Sequence, residues 1–470
     1  MPVFASLLAV IRLAAPFTDG VVLQRDMKVP VWGTAEPREK VSVSFGGASR
    51  AAEADERGHW RVDLPPMPAC KTPRTLVATS PTSKASVADI LVGEVWICSG
   101  QSNMDVPLCG TNPRYSDRDG GLVAQMVDRP HVRFRNQYAG RWRAMNRESL
   151  FEDELSFSAI GSYFALELAA ALDVPVGVVG AYVGGSEIAR WTPDDADAHL
   201  WRKFVAPLAP FAVRGFIWYQ GEADVKETPN RGYSAAMHRL YDGWAKAFEN
   251  PVLKFRFVQI APFDYSLLKE RKSLDFVTVQ LEQAKFAREE PQAEMAVICD
   301  VGNPDDIHPV EKQVVARRLA ALALRHDYGF SKLAADAPTL KGWTIEDGAF
   351  VLTFDHARRW SIVNPKFTEE VGFEVAGEDG AWHPAAVVNT IPSDPPWRCG
   401  QVGENRLVVR SSAVAQPKAL RYLFSKPWYG ALHNEACLPL GPFACGDVPD
   451  VRRDGAQNLF TQKGTKNNDN

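Results

Sequence analysis

Residues 91–104 read Leu91-Val-Gly-Glu-Val-Trp-Ile-Cys-Ser-Gly-Gln-Ser-Asn-Met. A near-continuous apolar run to Ser99 gives way to a glycine, a glutamine and Ser102. A run of that kind is expected where a strand is buried on both faces of a parallel sheet. A serine on the tight turn that follows would expose its hydroxyl, and nearby backbone N–H groups would face a developing oxyanion. The bland alternative is that Ser102 only caps a helix.

The neighbouring sequence repeats this rhythm. Phe157 to Leu172 carries apolar residues at helical spacing, and Val174 to Val183 is another apolar strand candidate. Phe211 to Trp218, Phe255 to Ile260 and Ala296 to Cys299 read as strands, with helices over Tyr233 to Phe248 and Val310 to Leu324. Strands alternating with helices predict an α/β fold with a parallel sheet covered on both faces. Residues 11–90 differ. Short runs such as Val41-Ser-Val-Ser-Phe and Trp60-Arg-Val-Asp-Leu, separated by Gly, Pro and Asp, predict a small β sandwich. The β rhythm returns over 331–450, with Phe350-Val-Leu-Thr-Phe and Leu407-Val-Val-Arg. The expected organisation is an N-terminal β domain (11–90), a catalytic α/β domain (91–330), a C-terminal β region (331–450) and a tail (451–470), polar and disordered at its end.

Composition narrows the function classes. The chain has 470 residues, 46% hydrophobic and 23% charged, with a net charge of −4. That balance gives no reason to expect nucleic acid or an anionic membrane as partner. No apolar run approaches the ~20 residues of a membrane span. Met1 to Val10 is apolar but short, with no basic residue before it, so it makes a poor secretory signal and leaves the compartment open. Seven cysteines and no CxxC pair leave at least one free thiol. Cys98 and Cys299 are expected to be buried and inert, and Cys437 and Cys445 are close enough in sequence to pair. The chain shows no HExxH, no clustered histidines, no Walker loop and no GxGxxG, so no metal and no cofactor are expected.

Polar oddities fall just past the predicted strand ends, the edge where open α/β sheets bind ligands. After Ser102 comes Val183-Gly184-Gly185-Ser186, where paired glycines let a backbone N–H approach a ligand. Next is Trp218-Tyr-Gln220-Gly-Glu222, whose Gln220 amide is a candidate oxyanion donor. Last is Asp300-Val-Gly-Asn-Pro-Asp305-Asp306-Ile-His308-Pro. A general-base histidine needs a carboxylate to hold its tautomer, and Asp305 and Asp306 both lie within a turn of His308.

Taken together, these blocks resemble the sialate O-acetylesterase family of the SGNH hydrolase superfamily. The resemblance spans nearly the whole chain, from Phe17-Thr-Asp-Gly-Val-Val-Leu-Gln-Arg through Gly100-Gln-Ser-Asn-Met, Trp218-Tyr-Gln-Gly-Glu and Ile307-His-Pro-Val-Glu-Lys to Leu432-His-Asn-Glu-Ala-Cys. It implies a flavodoxin-like three-layer α/β/α catalytic domain flanked by β-sandwich-like regions. It also implies a secreted or periplasmic setting. Ser102 would be the nucleophile and His308 the base, with Asp305 or Asp306 as the acid, or a Ser–His dyad with neither. The oxyanion hole would combine N–H groups of Ser102 and Gly184 or Gly185 with Gln220. Gln101, Asn103, Glu222 and Trp191 are candidates for the substrate pocket. The sequence departs from relatives at Ser186, where Thr is frequent, and at Ala189-Arg190.

The implied reaction is two-step acyl transfer from an acetylated sugar, foremost 9-O-acetylated sialic acid, through an acetyl-serine. An esterase of acetylated xylan or xyloglucan would use the same apparatus. Trp142, Trp191 and Trp218 could line a sugar site or equally fill the core. A non-catalytic carbohydrate-binding protein is the reading from another class, and the intact Ser102 and His308 argue against it.

Overall fold

One long strand organises the first half of the molecule. In the computed structural model, Lys84–Gly100 is continuous, and from Ile90 onward every residue of it is buried. Its first part alternates between exposed and buried, and its second part is enclosed on both faces. The change of rhythm near residue 90 therefore marks a change of surroundings within one strand, and the expected boundary at 90/91 falls inside it.

The structure describes residues 10–110, 116–117, 119–151, 157–225, 232–265, 275–303, 305–362, 371–391, 401–424 and 432–448. The N-terminal apolar stretch up to residue 9, Cys399 and the 451–470 tail lie outside them. The chain forms two units. One comprises Met1–Gln220, Ala236–Phe257 and Val310–Ala320, and the other Gly221–Ala235, Val258–Pro309 and Ala321–Asn470.

The first unit opens with β1 (Arg12–Leu13), β2 (Val22–Gln24), β3 (Val29–Thr34), β4 (Lys40–Phe45), β5 (Ala48–Glu53), β6 (His59–Leu64) and β7 (Cys70–Thr79). β1, β3 and β6 form one antiparallel sheet, and β5, β4 and β7 run antiparallel up to the long strand, β8 (Lys84–Gly100). Next come α1 (Ser102–Asp105), α2 (Gly120–Met126), β9 (Asp128–Arg135), β10 (Trp142–Asn146), α3 (Arg147–Phe151), α4 (Ala159–Leu172), β11 (Val176–Tyr182), β12 (Gly215–Tyr219), α5 (Tyr233–Ala247) and β13 (Lys254–Val258). The sheet runs β10-β9-β11-β8-β12-β13. All of these pairings are parallel except β10 with β9, so the α/β character expected from the sequence is present.

A buried charge cluster supports β8. Glu94 is fully buried and takes hydrogen bonds from Gln24 Nε2 (3.0 Å), Arg25 Nε (2.5 Å) and Arg214 Nε (3.1 Å). Burial works to raise its carboxyl, but the Arg214 charge and these hydrogen bonds hold it below the usual range. α4 begins at Ser158, whose hydroxyl accepts the Gly161 N–H at 3.1 Å, and ends at left-handed Asp173.

The second unit contains α6 (Asp275–Glu289) and β14 (Ala293–Ala296). The helix α7 (Lys312–Asp327) begins in the first unit and ends in the second. The strands that follow are β15 (Thr339–Glu346), β16 (Ala349–Asp355), β17 (Trp360–Ile362), β18 (Phe373–Ala376), β19 (Trp382–Val387), β20 (Gln401–Val402), β21 (Arg406–Arg410), β22 (Ala419–Tyr422), β23 (Leu432–Asn434) and β24 (Phe443–Gly446). They make an antiparallel sheet ordered β15-β16-β21-β19-β18-β22-β24 and a smaller one ordered β20-β17-β23. Their core of Phe350, Leu352, Trp360, Phe373 and Tyr422 also takes in Val297 and Cys299, which precede His308 in the chain. Cys98 and Cys299 are buried as expected, and Cys437 and Cys445 are both free thiols.

Candidate active site

Register brings the polar strand ends of the first unit to one edge. Tyr182 of β11 and Tyr219 of β12 both pair with Gly100, the last residue of β8. The connections after these three strands therefore leave the sheet side by side. They are stitched together by Gln101 N–H donating to Tyr219 O (3.0 Å) and Val183 N–H donating to Gly100 O (3.1 Å). Gly100 has φ +137°, and a Cβ there would stand 2.1 Å from Tyr219 O, so this crossing requires glycine.

Ser102 opens α1 and is half-buried between buried Gln101 and Asn103. The first helical bonds are Met104 and Asp105 N–H to Gln101 O, at 2.9 and 3.0 Å. The N–H groups of Ser102 and Asn103 thus stand ahead of the helical ladder, at its positive end. Gly184 faces this turn. A Cβ on it would lie 3.6 Å from Ser102 Cβ. Gly184 and Gly185 are exposed, so the ground beside Ser102 is open to a ligand. Beneath the turn, burial pushes the Asp105 carboxyl up to about 6 and the Cys98 thiol up to about 12.

The other candidates of this unit lie deeper. Gln220 is fully buried and its amide donates to Gln101 Oε1 and to Ser186 O, both at 3.1 Å. Ser186 Oγ donates to Val183 O (2.7 Å) and accepts from Trp191 Nε1 (2.9 Å). Trp244 Nε1 in turn donates to Trp191 O at 3.0 Å. Ser186 thus spends its hydroxyl inside the β11 loop. Trp142, Trp191 and Trp218, considered for a sugar site, are buried, with Trp191 and Trp218 at 0% exposure. Among the described residues, Tyr138 is exposed, at 66%, and stands edge-on to Phe204 with ring centroids 5.5 Å apart. Its neighbour Gln137 clamps Tyr182, accepting its N–H at 3.0 Å and donating to its carbonyl. Sequence reading missed both residues, because a Gln-Tyr pair after a strand carries no motif.

His308, Asp305, Asp306 and Glu222 belong to the second unit. Asp306 Oδ1 accepts the His308 backbone N–H at 2.9 Å and lies 3.8 Å from Nδ1 of the imidazole. Asp305 is exposed, and its own N–H donates to Asn303 Oδ1 at 3.0 Å. Of the two carboxylates, Asp306 is therefore the one held against the ring. The stretch leading to His308 is anchored on C-terminal strands. Cys299 Sγ contacts Leu440 O at 3.3 Å, and His433 Nε2 lies 3.2 Å from Asp300 Oδ2. Glu222 is buried in a short turn after Gly221, a glycine with φ +147°. Glu294, His326 and Asp336 bring three potential metal ligands together, but Arg325 Nε sits 2.6 Å from Asp336, so the group is built as an ion-pair network.

Residues 92–308 match the family model of the carbohydrate esterases described as sialic acid-specific acetylesterases. Human sialate O-acetylesterase is 24% identical over 383 residues, covering 70% of this chain and 73% of its own. The mouse sialate O-acetylesterase is 23% identical, covering 92% and 94%. The crystal structure of a carbohydrate acetylesterase from Xanthomonas citri is 31% identical with a TM-score of 0.81, covering 93% of this chain and 99% of that one.

Proposed function

The chain belongs to the sialic acid-specific acetylesterase family of carbohydrate esterases and is a carboxylic ester hydrolase, and from that premise we propose that it removes acetyl groups from sugar hydroxyls, foremost O-9 of sialic acid, with Ser102 as nucleophile. The observation that carries this is the nucleophile turn, with a half-buried serine at the start of a helix, N–H groups ahead of the helical ladder and open glycine backbone alongside.

In this scheme His308, oriented by Asp306, takes the Ser102 proton. Ser102 Oγ attacks the acetyl carbonyl. The N–H groups of Ser102 and of Gly184 or Gly185 receive the oxyanion, and the sugar alkoxide leaves with the proton from His308. Water then repeats the sequence on the acetyl-enzyme. Gln220 takes part by fixing Gln101 and the Ser186 carbonyl, and by lending its amide to the oxyanion once substrate displaces one of those bonds. Gln101, Asn103, Glu222 and Trp191 remain the candidates for the substrate pocket. Tyr138 offers the pyranose a face to pack on. The fold that goes with this scheme is an SGNH-type, flavodoxin-like three-layer α/β/α catalytic domain with β regions before and after it in the chain.

The test compares hydrolysis of 4-nitrophenyl acetate, 9-O-acetylated sialic acid and acetylated xylan by the parent and Tyr138→Ala. The sialic acid reading expects the highest kcat/KM on the acetylated sialic acid, and an approximately tenfold rise in KM on that substrate in the variant, with the aryl ester unaffected. Preference for acetylated xylan would move the substrate to plant polysaccharide.

A further inference from the structure

The motif Ile307-His-Pro-Val-Glu-Lys ends in a lysine to which the acyl-transfer scheme gives no role. Lys312 is fully buried, and its Nζ donates to Asn103 Oδ1 at 2.6 Å. The same Nζ lies 5.9 Å from the centroid of the Tyr219 ring, at the end of β12. Its backbone N–H, at the start of α7, donates to Asp117 Oδ2 at 3.1 Å. Asp117 Oδ1 accepts the Tyr163 hydroxyl of α4 at 2.7 Å. Lys312 is therefore held by Asp117 at its main chain and by Asn103 at its tip.

A buried ammonium is costly, and methionine would fill the same space without desolvating a charge. What the charge supplies here is a short, charge-assisted bond to the residue that follows Ser102. The Ser102–Asp105 turn has no side-chain cap at Gln101, so local capping does not fix its orientation.

We propose that Lys312 is a positioning residue for the nucleophile turn: through Asn103 its ammonium holds Ser102, with its hydroxyl and its N–H, in the orientation the acyl transfer requires. The inference rests on Ser102 being the nucleophile.

The experiment measures steady-state hydrolysis of 4-nitrophenyl acetate by the parent, K312M, K312R, N103A, the double variant K312M/N103A and S102A, with an unfolding midpoint for each. Lys312→Met and Asn103→Ala are each expected to lower kcat about 100-fold while KM stays within about threefold. The double variant should fall no more than about threefold below either single one, because both break the same bond. Lys312→Arg should recover part of the loss. A folded K312M with parental kcat would overturn the inference, as would losses that multiply in the double variant. If K312M does not fold, N103A breaks the bond from the other side, and parental kcat there would overturn the proposal equally. Parental activity in S102A would sink the nucleophile assignment beneath it, an outcome separate from the others.

Discussion

Gly184 lies against Ser102, with the place of its missing Cβ 3.6 Å from Ser102 Cβ and 3.9 Å from Ser102 Cα. That is ordinary contact distance, so a methyl there fits the resting enzyme. On the proposed scheme it would also stand beside the serine that the acetyl group approaches. Gly184→Ala is expected to fold with an unfolding midpoint close to that of the parent and to lose about tenfold or more in kcat/KM on aryl acetate. Gly100→Ala should fail differently, by loss of folded protein, since its Cβ would meet Tyr219 O at 2.1 Å. A fully active Gly184→Ala would move the acyl site elsewhere.

The two carboxylates before His308 separate cleanly. Asp306 is held 3.8 Å from Nδ1, whereas Asp305 is exposed beside Asn303. Asp306→Asn is expected to lower kcat by about 100-fold or more, and Asp305→Asn by less than about threefold. The reverse ranking would reassign the acid, and two inert variants would leave a Ser–His dyad. Because Asp306 also caps the His308 backbone N–H, Asp306→Ala should cost more than Asp306→Asn.

Asp105 sets a pH dependence of stability. Burial raises its carboxyl to about 6 from an ordinary 3.8. The folded chain therefore keeps a proton that the unfolded chain releases. Its contribution is complete below the unfolded value and is lost as pH rises through about 6. Asp105→Asn removes that loss. The variant should gain on the order of 1–3 kcal/mol over the parent at pH 8 and little at pH 4. Chemical denaturation at both pH values measures it, and an equal difference at the two would contradict this account.

The sequence displayed most of the scaffold because parallel strands buried on both faces leave apolar runs. Val176–Tyr182 lies inside the expected Val174–Val183, Gly215–Tyr219 overlaps the expected Phe211–Trp218 and extends one residue past it, and β8 contains the expected Leu91–Ser99. Ser102 and the Gly184-Gly185 pair were legible because each follows such a run. What stayed hidden was long-range side-chain pairing. Nothing in the sequence shows that Lys312 reaches Asn103, that Gln137 clamps Tyr182, or that Gln220 spends its amide on Gln101 and Ser186. The tryptophans stayed ambiguous for a related reason. An indole is equally suited to stacking on sugar and to filling a core, and only burial distinguishes the two. The unity of β8 was obscured because its two halves have different surroundings.

The most direct test of the central claim is to trap the acyl-enzyme. Parent protein turning over 4-nitrophenyl acetate is quenched in acid, digested and analysed by mass spectrometry, with Ser102→Ala and His308→Ala alongside. The expected result is acetyl on the Ser102 side chain in the parent, none in Ser102→Ala, and turnover at least about 10⁴-fold lower in both variants. Acetyl on a different residue, or parental turnover by Ser102→Ala, would contradict it.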